Sequence, residues 1–90
     1  MSQSNDLKQL LEFARSQPTN TALLEVQQRV RSAIELTKAY LLRVEKALSV
    51  GDVRTFANPQ RERLLVKEEL AKLAELDRQA EEALSTHNQG

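Results

Sequence analysis

Apolar residues recur every three or four positions along three stretches of this chain, which is the spacing of one face of an α-helix. In the first stretch Leu7, Leu10, Leu11 and Ala14 carry that spacing, and Pro18 follows them. The residue before a proline avoids the helical region, so we predict a first helix over residues 5–17. A helix of about 13 residues is marginal in isolation, so we expect it to dock on the rest of the chain.

The second stretch predicts a long helix over residues 22–50. Nothing between its ends breaks a helix, and Gly51 suits the left-handed position just past a helix C-terminus. Its apolar residues fill three heptad columns, so the stripe is wider than the seam of a two-stranded coiled coil. A stripe of that width indicates contact with more than one neighbouring helix.

The third stretch opens on Asn58-Pro59, an N-cap residue followed by a proline at the first helical position. We predict a helix over residues 59–84, because apolar positions continue at helical spacing to Leu84. Residues 85–90 are polar, and we expect them to fray.

Side chains that can cap a helix precede the first two predicted helices as well. Ser4 or Asn5 can cap the first, and Asn20 or Thr21 can cap the second. Such side chains accept a hydrogen bond from a backbone N–H of the first turn, so they support these starts.

The short connection over residues 51–58 joins two long helices and therefore makes them antiparallel neighbours. We predict an all-α fold with one domain over residues 1–90. A long antiparallel helical hairpin carries the short first helix folded back along its open end. The wide stripe favours an oligomeric bundle, because a helix packed on one side leaves a large apolar patch exposed. A self-contained three-helix monomer is the alternative.

Composition restricts the chemistry that this chain can perform. It has no cysteine and one histidine, His87, which excludes a thiolate or multi-histidine metal site and disfavours a Ser-His-Asp arrangement. It also lacks a glycine-rich phosphate loop. We expect no enzymatic activity, no cofactor and no bound metal. No apolar run approaches the ~18 residues that span a bilayer and no secretory signal is evident, so a soluble, cytoplasmic protein without a membrane partner is expected.

The formal net charge of zero hides an uneven distribution. Residues 29–67 hold nine basic and four acidic side chains, a net +5, whereas residues 68–90 hold two basic and six acidic, a net −4. The hairpin would therefore have a basic loop end and an acidic open end. Such ends are either an ordinary solvated surface or a means of orienting an acidic partner or a second copy.

The favoured function is a non-enzymatic protein–protein interaction module. It would form a homodimer or small homo-oligomer, or join a larger helical assembly, through the apolar faces of the hairpin. The predicted interface residues are Val30, Ile34, Tyr40, Leu41, Val44, Leu48, Val66, Leu70 and Leu73.

The connecting loop is apolar for an exposed segment and provides further candidates. Val53 and Phe56 are predicted to fold down and plug the end of the hairpin. Alternatively, Phe56 with Arg54 anchors a partner, because arginine and aromatic residues dominate interface hot spots. The candidate partner-binding residues are Arg54, Phe56, Arg61 and Arg63.

Three residues interrupt the apolar stripes. Tyr40 is predicted to lie in the core or a self-interface. Thr37 either fixes the register of an interface or bonds its own helix backbone. Asp77 is predicted to lie at the edge of the third stripe and reach water, because an unpaired buried carboxylate is costly.

Two other functions are left open. One is a small regulatory chaperone or anti-activator that sequesters a helix of another protein between the first helix and the hairpin. The other is a nucleic-acid-associated factor that acts through the basic loop end. Nucleic acid is the less favoured partner, because acidic residues interleave with the basic ones and no aromatic platforms alternate with them.

Overall fold

The chain folds into three α-helices and a short loop. The structure, a computed structural model, describes residues 3–52 and 54–89. Helix α1 is Gln3–Ser16, α2 is Asn20–Val50 and α3 is Pro59–Gln89. Helices α2 and α3 form an antiparallel hairpin, and α1 packs against both at its open end. The result is a rod of 53 × 19 × 15 Å. The prediction of an all-α hairpin with a short first helix is confirmed.

Local hydrogen bonds explain where the two long helices begin and end. Thr19 is extended after Pro18, and its hydroxyl oxygen accepts a hydrogen bond from the N–H of Ala22 at 3.0 Å. Gly51 ends α2 at φ 70°, a conformation that a residue with a Cβ rarely adopts. The Asn58 side chain accepts from the N–H of Arg61 at 3.2 Å. The predicted roles of Gly51 and Asn58 are confirmed.

The cap predicted for α2 is wrong by one or two residues. Three possible caps stand in succession at positions 19–21, and the extended residue after the proline takes the role. Asn20 is therefore the first helical residue and Thr21 follows inside the helix. The cap of α1 is also misplaced, since Ser4 and Asn5 lie within that helix.

Helix α3 extends to Gln89, five residues beyond its predicted end. The segment 85–89, expected to fray, contains neither glycine nor proline to stop a helix. Thr86 and His87 also line a cleft with Arg15 and Pro18, so the turn between α1 and α2 lies beside this last part of α3.

The main apolar core lies in the open half of the rod, where all three helices meet. Its members are Leu7, Leu11 and Ala14 of α1, Leu23, Val26, Val30 and Ala33 of α2, and Leu73, Leu76, Ala80 and Leu84 of α3. The wide stripe of α2 is therefore covered on two sides within one chain. At this end, its width does not require a second molecule.

The loop half of the rod is built differently. There α2 and α3 pack without a third helix, because α1 has 14 residues and α2 has 31. Val44, Ala47 and Val66 are still buried. Phe56 folds back so that its ring meets that of Tyr40 edge-on, with centroids 5.8 Å apart. This position of Phe56 agrees with the plug interpretation, whereas Val53 lies outside the described residues.

Candidate protein interface

Four of the nine predicted interface residues form the seam within the chain. Val30, Val44, Val66 and Leu73 are buried between α2 and α3. Each keeps at most 6% of its surface exposed, so within the single chain these four pack in the hairpin and offer little to a second molecule. The heptad pattern identifies apolar columns, but it does not tell which helix covers them.

The other five predicted interface residues retain some exposed surface. They are Ile34, Tyr40, Leu41, Leu48 and Leu70, and each is half-buried. They remain predicted contact residues.

The large apolar residues with the most exposed surface are not among the nine predicted interface residues. They are Leu10, Phe13, Leu24, Leu36, Leu42, Val50, Leu64 and Leu65. The four of them on α2 lie outside the three heptad columns, and that position was the signal available in the sequence. Two of them, Leu36 and Leu65, share one side of the hairpin with α1.

On α2, the side that carries α1 continues toward the loop. Ala33 and Leu36 line a cleft with Leu10 of α1. Residues seven apart lie on nearly the same face of a helix. Tyr40 therefore continues the column of Ala33, and Arg43 continues the column of Leu36, beyond the first residue of α1.

On α3, the same side is marked by a cleft between α1 and residues that include Lys72, Glu75 and Leu76. Counting back in sevens, Leu65 shares the column of Lys72. Arg61 lies fourteen residues before Glu75.

We call this continuation the loop-half face. It consists of Leu36, Tyr40 and Arg43 from α2, and Arg61, Glu62 and Leu65 from α3.

A hydrogen bond crosses the floor of the loop-half face. The Tyr40 hydroxyl donates to a carboxylate oxygen of Glu62 at 2.7 Å. This bond and then partial burial raise the pKa of Tyr40, because a neighbouring carboxylate favours the neutral hydroxyl. Phe56 contacts the same ring. The floor is therefore a fixed aromatic and polar platform rather than an apolar pocket.

Thr37 does not contribute a polar group to this floor. Its hydroxyl donates to the carbonyl of Ala33 at 2.6 Å. The interpretation that Thr37 bonds its own helix backbone is confirmed.

Most basic side chains of the loop end form no ion pair with a described residue. Arg63 pairs with Glu45 at 3.8 Å. Within the described part of the chain, no ion pair is formed by Arg43, Lys46, Arg54, Arg61 or Lys67. The acidic Asp52 is held by the loop instead: the Thr55 hydroxyl, then the backbone N–H groups of Arg54 and Thr55, lower the pKa of its carboxyl.

The four loop-end residues predicted to bind a partner do not share one surface. Phe56 and Arg61 belong to the side of the loop-half face. Residues two apart on a helix do not face each other, so Arg63 lies on another side, with Glu45. Arg54 is exposed in the loop and forms no ion pair with a described residue.

At the open end, four carboxylates share two guanidinium groups. Arg78 bonds Glu75 at 3.1 Å and Glu82 at 2.8 Å, and the bond from Arg78 is the main reason that the pKa of Glu75 falls to about 2. Arg31 bonds Asp77 at 3.0 Å and Glu81 at 3.5 Å. Asp77 is at the stripe edge as predicted, but it reaches a cation of α2 as well as water. The open end therefore keeps an excess of negative charge.

Comparisons with protein families, with curated proteins and with solved structures found no significant match to this chain. Over the described residues, no helix has an apolar stretch long enough to cross a membrane. In the same part of the chain, no three His, Cys, Asp or Glu side chains are grouped so that they could hold a metal ion. The fold and the surface together define a class of protein: a helical hairpin that a third helix covers over half of its length.

Proposed function

We propose that this protein is a non-enzymatic protein–protein interaction module that receives a helix of another molecule on the loop-half face. The observation that carries the proposal is the exposure of the two leucines that flank this face. Leu36 is 67% exposed and Leu65 is 48% exposed, although both continue the side that α1 covers elsewhere. A further helix would complete the three-helix packing along the rod.

The way α1 packs supports an amphipathic helix as the occupant of this face. It buries Leu7, Leu11 and Ala14, which is the spacing of one face of an amphipathic helix. Burying a leucine contributes about 1.5–3 kcal/mol, so Leu36 and Leu65 supply the driving force for association. Arg43 and Arg61 flank them and favour a helix with acidic residues beside its apolar stripe.

A photo-crosslinking pair tests the proposal. Benzoylphenylalanine replaces Leu36 in one variant and Leu42 in the other, because the two leucines are 67% and 69% exposed on different sides of α2. In cells that make the protein, we expect a discrete adduct from position 36 and none from position 42. Equal adducts, or no adduct at position 36, would contradict the proposal.

A second test uses binding strength. We expect L36E and L65E to lose the partner identified by the adduct, because a carboxylate would be buried on docking. L42E should bind as the unaltered chain does. Circular dichroism checks that all three variants remain helical. Equal loss in all three would contradict the proposal.

The chaperone alternative has less support in its original form. The groove between α1 and the hairpin is filled by the core, and Leu11 there is 1% exposed. A client helix would have to use the loop-half face as well. The location expected for either function is the cytoplasm.

The nucleic-acid alternative draws on the five loop-end cations that form no ion pair with any residue the structure describes. Its test is a salt titration of DNA and RNA binding, because phosphate contacts release counterions and weaken steeply as salt rises. If DNA and RNA bind only weakly, or if their binding does not change with salt, this alternative is eliminated.

A further inference from the structure

We infer that the helix received by the loop-half face is α1 of a second copy, in an antiparallel homodimer. This inference rests on the proposed function, since it names the occupant of the same face. One side of the rod carries α1 as a ridge in its open half and leaves the loop half uncovered. Two copies can lie side by side with their long axes antiparallel. The α1 ridge of each copy would then cover the loop-half face of the other copy. Such a two-fold arrangement forms the same contact twice and closes.

The lengths of ridge and face agree. Helix α1 has 14 residues, and α2 continues for 14 residues beyond Leu36 to its end at Val50. At ~1.5 Å per residue, each is about 21 Å long. One α1 therefore covers the loop-half face of its partner without reaching past the loop.

The ridge carries apolar side chains that the single chain leaves exposed. Leu10 is 38% exposed and Phe13 is 68% exposed. They are three residues apart and so are neighbours on one flank of α1. On the opposing molecule, Leu36 and Leu65 would meet this flank. Antiparallel pairing thus covers four exposed apolar side chains of each copy.

Charge selects the antiparallel arrangement over the parallel one. On α3, Arg61 begins a column that continues through Glu68, Glu75 and Glu82 toward the open end. Reversing the second copy places the acidic part of this column at the end of the rod that carries Arg61. A parallel pair would instead place the basic loop ends together. Like charges at such a contact are repulsive, so complementarity sets the orientation.

The oligomeric state tests the pairing. Light scattering of the pure protein over a dilution series should show a dimer that dissociates on dilution. We expect F13E and L36E each to raise the dimer dissociation constant at least tenfold, and L42E to leave it unchanged. A monomer at every concentration would overturn the inference, and so would equal effects of L36E and L42E. Neither result affects an adduct with another protein from position 36, so failure of this inference is distinguishable from failure of the proposed function.

The orientation is tested by energy transfer between single labels. The chain has no cysteine, so S49C near the loop end and T86C near the open end each provide one attachment point. Both positions are exposed. An antiparallel dimer should give high transfer between an S49C donor and a T86C acceptor, and low transfer between two S49C chains. The reverse result indicates a parallel dimer and overturns the inference.

Charge-reversal variants test the antiparallel arrangement, because a second variant should restore the pairing that the first one weakens. We expect R61E to weaken the homodimer, with melting temperature as the check on folding. Mixing R61E with the double variant E75R and E82R should restore a heterodimer, because opposite charges then meet at both contacts. If the mixture pairs no better than R61E alone, the charge argument for the antiparallel arrangement is refuted.

Discussion

Tyr40 shows how one polar residue within an apolar stripe can serve the fold. Its ring continues the column of Ala33, where α1 would otherwise lie, and its hydroxyl donates to Glu62 on the neighbouring helix. Phe56 packs edge-on against the ring. Tyr40 thus links α2, the loop and α3 at a level that α1 does not reach.

We expect Y40F to lower the free energy of unfolding by about 1 kcal/mol, since it removes one hydrogen bond and keeps the ring contact. Urea unfolding of Y40F, E62Q and the double variant would measure the coupling between the two side chains. If the two single effects simply add, the bond contributes nothing to stability.

The raised pKa of Tyr40 gives the same bond a dependence on pH. A folded-state pKa above the unfolded value of 10.0 means that the stabilisation is present below pH 10 and is lost as the pH rises through the folded-state pKa. We expect the difference in melting temperature between the unaltered chain and Y40F to shrink above pH 10. A constant difference up to pH 11 or so would show that the hydroxyl does not donate to Glu62.

Gly51 provides a prediction about backbone strain alone. A Cβ at this position would meet no atom within 4 Å, so the positive φ is the whole cost of a side chain. We expect G51A to destabilise the protein by about 1 kcal/mol, and G51N by less, because asparagine tolerates the left-handed region better. Equal melting temperatures for G51A and the unaltered chain would contradict the assignment of this cap.

Helix α1 is held to the hairpin by a few buried side chains. It is joined to α2 by a short turn at Pro18, and its inner face contributes Leu7, Leu11 and Ala14 to the core. A helix of 14 residues has little stability of its own, so its docking depends on these contacts.

We expect L11A to lower the free energy of unfolding by about 2–3 kcal/mol, the low end for a fully buried leucine, because α1 can detach before the hairpin unfolds. F13A is the matched control, since Phe13 is exposed on the same helix. It should change stability by less than about 0.5 kcal/mol. Similar losses for the two variants, measured by chemical unfolding at a dilution where the chain is monomeric, would show that α1 does not pack as described.

Sequence patterns predicted the elements well, because their boundaries depend on local chemistry. Gly51 and Asn58-Pro59 stop one helix and start the next, and the short connection between them forces the hairpin. Where several residues could serve, as at Thr19 to Thr21, the choice depended on the extended backbone after Pro18. The end of α3 was missed because a polar composition is a weaker stop signal than glycine or proline.

The candidate interface was less predictable, for a physical reason. Val30 and Leu36 are both apolar residues of α2, but one is buried against α3 and the other is exposed beside the start of α1. The difference in their exposure depends on where the other two helices lie, which the pattern along α2 does not contain. The bond between Tyr40 and Glu62 joins residues 22 apart, and their register is set by the loop rather than by either helix.

The two halves of the rod differ in how completely they are packed. The open half encloses the core that all three helices share, with Leu23, Val30 and Leu73 fully buried. In the loop half, two helices share a smaller buried set that includes Val44 and Ala47, and the loop-half face is exposed. Opening free energies within a protein follow the density of such buried contacts.

Amide hydrogen exchange should therefore divide each long helix in two. For a monomer at low concentration, we expect slower exchange over residues 23–33 and 73–84 than over 40–48 and 62–69. Mass spectrometry of peptides from α2 and α3 resolves these ranges. Uniform protection along both helices would contradict the asymmetry, because it would mean that the loop half opens only when the whole chain unfolds.

The same measurement at increasing protein concentration separates an intrinsic asymmetry from one that association removes. If α1 of a second copy covers the loop-half face, protection there should rise with concentration as the dimer forms, by linkage between binding and opening. Protection over residues 23–33, already buried beneath α1, should change less. The L36E variant should keep the low-concentration pattern at every concentration, since its folded monomer is intact and only the contact is lost. Protection that rises equally in L36E and the unaltered chain would place the association on another surface of the rod.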